Sequence, residues 1–233
     1  MYQGKTVLIT GSSRGVGAGL VKHFLYNGAD VIGIAHRAKS DGRYYCYSTE
    51  LSSPVCIEET MALIGKNHKK VDIVINNAAV MSSRFSQKMP VEDVLSMVNV
   101  DLVAPFLISR EASKLMYDVS YGRIINIGSI ADVCEAMGDS VYAACKAGLR
   151  TMTNILAKEY ARQNITCNTL AISAIDTDML GQHKQEAVDA LVKTFPIPRK
   201  ATMGDITNVI DFFCSEKSDY ITAQIIYLGG LHK

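Results

Sequence analysis

The sequence predicts an α/β fold of the doubly wound kind: a single domain over residues 1–233 holding one seven-stranded parallel sheet with helices on both faces. Three observations predict it. Short apolar runs alternate along the chain with longer segments of helical period. Those runs are continuously apolar rather than alternating, as strands covered on both faces must be. The chemically distinctive residues fall just after such runs, at the carboxyl ends where ligands of these sheets sit. Composition agrees: 48% apolar and 20% charged residues can build a core of this size and exclude disorder. With 24 basic and 23 acidic side chains the formal charge is +1, which excludes an electrostatic claim on nucleic acid or on an anionic membrane.

In order, Thr6–Thr10 (TVLIT) reads as a buried strand and Val16–Asn27 as a helix turning Leu20, Phe24 and Leu25 inward. Asp30–Ala35 (DVIGIA) is the second strand and the aromatic Tyr44–Tyr47 a third, buried one. A helix near Cys56–Asn67 leads to the strand Val71–Ile75 (VDIVI), then to two helices at roughly Val91–Asn99 and Val103–Tyr117. Gly122–Ile127 (GRIINI) is followed by a long helix at about Val141–Gln163 and the strand Ile165–Leu170 (ITCNTL). A looser segment runs to about residue 203, with a substrate loop expected at 178–203. A helix near Asp205–Ser215 and the strand Gln224–Leu228 close the chain. The six cysteines include no CxxC pair, and His23, His68, His183 and His232 lack ligand spacing, so no metal is expected and these histidines read as surface residues. No apolar stretch nears 18 residues and no signal peptide stands at the start, which predicts a cytoplasmic protein.

The first candidate site is the turn Gly11, Ser12, Ser13, Arg14, Gly15, Val16 and Gly17, between the first strand and the first helix. Glycines let a backbone approach a pyrophosphate, and the helix start offers unpaired N–H groups with a positive dipole end. The second strand ends in Ala35-His36-Arg37. An acid there would bind a ribose 2′-hydroxyl and repel a 2′-phosphate. Its absence, with Arg14 and Arg37 able to clamp a phosphate, favours NADPH over NADH. Tyr142 and Lys146 are spaced i, i+4 on the long helix, so the ammonium can lower the phenol pKa from its usual value near 10. Ser129 closes the run GRIINIGS and can hold a carbonyl oxygen beside that phenol.

These motifs resemble the short-chain dehydrogenase/reductase family over essentially the whole chain: TGxxxGxG at Thr10–Gly17, YxxxK at Tyr142/Lys146, and its serine at Ser129. The resemblance implies a Rossmann-type fold and a fourth catalytic residue, an asparagine, matched by Asn99 in VNVDL. It also implies that Asn77, Ala78 and Ala79 line the adenosine ribose, that Glu50 and Leu51 sit near the adenine, and that Ile175 and Thr177 meet the carboxamide. The implied chemistry is hydride transfer between nicotinamide and a carbonyl carbon. Tyr142 would protonate the oxygen, Ser129 orient it and Lys146 hold the nicotinamide ribose. Asn99 would position a water that links Lys146 to solvent.

Within the family, GRIINIGSI, VYAACKAGL and DTDML look most like the 3-oxoacyl-(acyl-carrier-protein) reductases, so a small or carrier-bound carbonyl substrate is expected. Ile172-Ser173 replaces the family's usual Pro-Gly, and Ala79 a glycine. Those departures lean toward an alternative, a tailoring enzyme acting on some other ketone. A non-catalytic nucleotide-binding scaffold is the reading of another class. By analogy a homodimer or homotetramer is expected, through a four-helix contact burying Phe106, Leu107, Met116, Leu149, Met152 and Leu156.

Overall fold

The structure, a computed structural model, describes residues 1–37, 39–116, 121–176 and 185–231. Seven parallel strands lie in the order β3-β2-β1-β4-β5-β6-β7. They are β1 (Thr6–Thr10), β2 (Asp30–Ala35), β3 (Tyr44–Ser48), β4 (Ile73–Asn76), β5 (Gly122–Ser129), β6 (Ile165–Ile172) and β7 (Ile225–Tyr227). The chain builds outward from β1 to β3, then returns to lay β4 against the other side of β1, in register Val7 with Ile73. That reversal opens a crevice at the carboxyl ends of β1 and β4, where the Gly-rich turn lies.

The period of two along each strand sorts its side chains onto two cores. Val7, Ile9, Ile73, Ile75 and Ile125 face α1 (Gly15–Tyr26) and α8 (Met203–Cys214), through Leu20, Phe24, Ile206 and Phe213. Leu8, Ile32, Val74 and Ile124 face α2 (Pro54–Asn67), α4 (Ala104–Leu115) and α6 (Ser140–Tyr160), through Ile57, Ile64, Ile108 and Leu156. Each such side chain, fully withdrawn from water, contributes about 1.5–3 kcal/mol before the entropy of ordering it is counted.

Several elements differ from the sequence expectation. Tyr44–Ser48 is an edge strand, half-exposed rather than buried, because nothing pairs beyond it; Tyr45 is 43% exposed. Between α3 (Val91–Val98) and α4 the helix does not stop: residues 99–103 form a π turn. Pro105 explains it. Its nitrogen carries no hydrogen for the carbonyl of residue 101, and its ring would crowd that carbonyl in a regular turn. The short α5 (Ala131–Cys134) follows β5, and α7 (Gln185–Lys193) lies in the segment expected to be loose, burying Val188 and Val192. The rest of that loop, residues 178–184, together with Thr177, His183 and His232, lies outside the described residues.

Two further expectations are corrected. His23 is not a surface residue: its Nε2 lies 2.8 Å from Asp211, which also accepts from the Tyr2 hydroxyl at 2.6 Å. The four-helix contact cannot use Leu107, Met116, Leu149 or Leu156, since all four are buried in the chain's own core. The outward face of α3, α4 and α6 presents Val91, Leu95, Phe106 and Ile155 instead. Among the described residues no helix is long and apolar enough to cross a membrane, and no cluster of side chains could hold a metal ion.

Candidate active site

The Gly-rich turn is shaped by contacts that tolerate no side chain. A Cβ on Gly17 would stand 2.1 Å from the Gly11 carbonyl oxygen and 2.7 Å from Asn77 Nδ2. Gly11 has φ +66° and Gly15 φ +53°, backbone conformations that glycine adopts without strain. Thr10 ties this turn to the loop after β4: its Oγ1 accepts from Asn77 N at 3.0 Å and from Ala78 N at 2.9 Å. In return Asn77 Nδ2 donates to the Thr10 carbonyl at 2.9 Å. Ser12 is buried and accepts from the Tyr44 hydroxyl at 2.8 Å, while Ser13, Arg14 and Gly15 are exposed. Helix α1 starts without a side-chain cap and without an acid in its first turn. Its end groups are therefore open to an anion.

The carboxyl end of β2 carries exposed His36 and Arg37, and His36 Nε2 lies 3.2 Å from Glu50. Glu50 accepts from the backbone and hydroxyl of Ser52, which hold its carboxyl below the usual range. Leu51 packs partly against the core below. Val16 is buried behind the turn, and Ala78 and Ala79 are half-buried across the crevice from it. A cradle that a Cβ would fill and an uncapped helix start fit the pyrophosphate of a dinucleotide.

At the carboxyl end of β5 the polar groups are buried. Tyr142 and Lys146, one turn apart on α6, are 6% and 3% exposed. The ammonium lies 5.5 Å from the centre of the phenol ring and donates to the Ile127 carbonyl at 3.2 Å. Ser129 bears on the phenol and favours its ionised form, and its Oγ accepts from Ala131 N at 3.1 Å. Burial pushes the Tyr142 pKa up, and neither Lys146 nor Ser129 fully offsets this. The sequence expectation of a depressed phenol pKa thus meets a stronger opposing effect, desolvation. Burial likewise pulls Lys146 down, but Tyr142 and Asp101 outweigh it and hold the ammonium above its ordinary value.

Asn99 does not join this group. Its Nδ2 donates to the Ser52 carbonyl at 3.0 Å, on the Glu50 side of the crevice. The side chain beside the lysine is Asp101, fully buried, with Oδ1 3.4 Å from Lys146 Nζ. Residues two apart on a helix face opposite ways, so Asn99 and Asp101 cannot both turn to Lys146. The replaced turn after β6 is unremarkable in backbone: neither Ile172 nor Ser173 has positive φ, and Ser173 is buried. Ile175 follows it, pairing with Ala201.

Comparison with known proteins places the molecule. The profile of the short chain dehydrogenase family matches residues 5–188. The chain belongs to that family. It is 35% identical over 232 residues to 3-oxoacyl-(acyl-carrier-protein) reductase of Rickettsia felis, covering 97% of this chain and 96% of that protein. The reductase of the same name from Escherichia coli strain K12 is 30% identical over 237 residues, at 98% and 97% coverage. Among solved structures, a short-chain dehydrogenase/reductase of Serratia marcescens superposes with a TM-score of 0.89 at 27% identity, covering 98% of both chains. As a short-chain dehydrogenase the protein is an oxidoreductase that uses a nicotinamide cofactor on carbonyl or CH–OH groups.

For a short-chain dehydrogenase of this sequence, the overlooked residue is Asp101. Its signal was present: a lone acid inside the apolar run Val98-Asn99-Val100-Asp101-Leu102-Val103, at a helix position with no surface periodicity to explain it.

Proposed function

We propose that the chain is an NADPH-dependent carbonyl reductase that converts a 3-oxoacyl thioester or a similar ketone to a secondary alcohol. The observation that carries this reading is the buried Tyr142–Lys146 pair beside Ser129, with one strand, β4, between it and the glycine cradle. When bound, the nicotinamide supplies the hydride. Gly11, Ser12, Ser13, Gly15, Val16 and Gly17 would hold the pyrophosphate, and Arg14, His36 and Arg37 the 2′-phosphate. Glu50 and Leu51 would flank the adenine, Asn77, Ala78 and Ala79 the ribose, and Ile175 and Thr177 the carboxamide. Lys146 holds the nicotinamide ribose, Ser129 orients the carbonyl oxygen, and Tyr142 gives that oxygen its proton. A phenol kept protonated by burial suits the donor role. Six free cysteines suit the cytoplasm, and the apolar face of Val91, Leu95, Phe106 and Ile155 suits a second copy of the chain. Static light scattering should then give a multiple of the chain mass, and a monomer at micromolar concentration would count against that assembly.

The decisive experiment follows NADPH oxidation by absorbance with an acetoacetyl thioester, with NADH as control. Turnover that prefers NADPH, falling by about 10²–10⁴-fold in Tyr142→Phe, is expected. Binding of NADPH without thioester turnover would move the substrate to another class of ketone. Failure to bind either nucleotide would overturn the reading.

A further inference from the structure

A carboxylate with no exposed surface is costly unless its charge does something, and Asp101 is such a group. The π turn carries it into the interior, where Lys146 Nζ lies 3.4 Å away. Among the described residues, these groups bear on this point. Helix α6 supplies Lys146, Tyr142 and Cys145; Asp139 precedes that helix; the loop after β4 supplies the Val80 backbone N–H. Asn99, on the same turn, is engaged with Ser52.

We propose that Asp101 is a positioning residue that cancels the charge of Lys146 at the phenol, so that Tyr142 stays protonated and the site favours carbonyl reduction over alcohol oxidation. The reasoning is electrostatic. A lone ammonium beside Tyr142 stabilises the phenolate, the form that removes a proton from an alcohol. An ammonium neutralised by a buried carboxylate stabilises it far less, leaving the phenol, the form that donates. Burial raises the Asp101 carboxyl to about 6 against the opposing pull of Lys146. Through the neutral range the carboxylate is therefore mostly ionised, and below that point its proton releases the full lysine charge onto the phenol. An asparagine at 101 would keep the shape and remove this control.

The inference rests on the reductase reading, but its test needs neither cofactor nor substrate. The apoprotein is labelled with ¹³C at tyrosine Cζ and aspartate Cγ, with resonances assigned by Tyr142→Phe and Asp101→Asn. The Tyr142 titration should move to lower pH in Asp101→Asn, and coincident titrations in the two proteins would overturn the proposal. Should the variant not fold, the wild-type protein decides. Its Asp101 resonance should titrate near 6, with the Tyr142 resonance responding over the same interval; a Tyr142 resonance that does not respond as Asp101 titrates would refute the proposal. In an established turnover assay, the acid limb of the alcohol-oxidation profile should shift to lower pH in Asp101→Asn, a change that a purely structural role for Asp101 does not produce. Absence of turnover with every ketone, beside a shifted Tyr142 titration, would sink the reductase reading alone.

Discussion

Two polar clusters are buried near one another behind β4 and β5, and they are built on opposite principles. The first is neutral. Asn76 Nδ2 donates to Asn126 Oδ1 at 2.7 Å and to Ser109 Oγ at 3.0 Å, and Asn126 Nδ2 donates to Thr153 Oγ1 at 2.8 Å. Thr153 passes its proton on to the Leu149 carbonyl at 2.7 Å, so one chain of hydrogen bonds cross-links β4, β5, α4 and α6. The second cluster, Asp101 with Lys146 and Tyr142, is ionic, and its central contact of 3.4 Å is longer than a well-formed charge-assisted hydrogen bond. The neutral network fixes where the helices sit and is indifferent to pH. The ionic cluster fixes little by geometry, and its charges respond to proton concentration. Placing the second on a frame held by the first lets the site titrate without moving.

That contrast can be broken at either cluster. The largest effect is expected from Lys146→Met, which strands the Asp101 carboxylate in the interior. Urea denaturation should register a loss of about 3–5 kcal/mol at pH 7.5, shrinking as pH falls and Asp101 takes up a proton. Adding Asp101→Asn to the same chain should restore much of that loss. A double variant no more stable than Lys146→Met would mean that the two groups do not act as an ion pair. Asn126→Leu ranks below it, at about 2–4 kcal/mol, because the buried Asn76 amide loses its Asn126 acceptor and Thr153 Oγ1 its donor. Its cost should be level between pH 5.5 and 8.5, measured the same way. A cost that varied with pH would erase the distinction between the clusters.

How legible each cluster was in the sequence follows from the same contrast. The strands could be read because a buried parallel strand must be apolar throughout, and TVLIT, DVIGIA and GRIINI are. The cradle could be read because Gly11, Gly15 and Gly17 answer to local backbone demands, visible within one turn. The VDIVI run starts its strand two residues late, at Ile73, since Asp72 spends its carboxylate accepting from Thr6 N at 2.7 Å. Helix α7 is short, and it buries only Val188 and Val192, which leaves little apolar period to read. The choice between Asn99 and Asp101 could not be read from residue types at all. It depends on the phase of the helix after the π turn, and two residues of error turn the wrong side chain to the lysine.

That turn has a consequence beyond the site. Ala104 N reaches back to the Asn99 carbonyl, so the rod from Val91 to Leu115 carries one more residue per turn there than a regular helix holds. It absorbs that residue within a single revolution, letting the upstream and downstream turns keep the faces they would present in a continuous helix one residue shorter. Removing a single residue between 99 and 103 would leave a rod of ordinary helix, its far half still seated on the sheet through Ile108 and Ala112. The near half would keep nearly the same angle to it, since the widened turn had held the extra residue within one revolution. One residue can therefore be gained or lost here without rotating the rest of the rod, which makes this stretch the place where an insertion or deletion would retune the chemistry before it disturbed the fold.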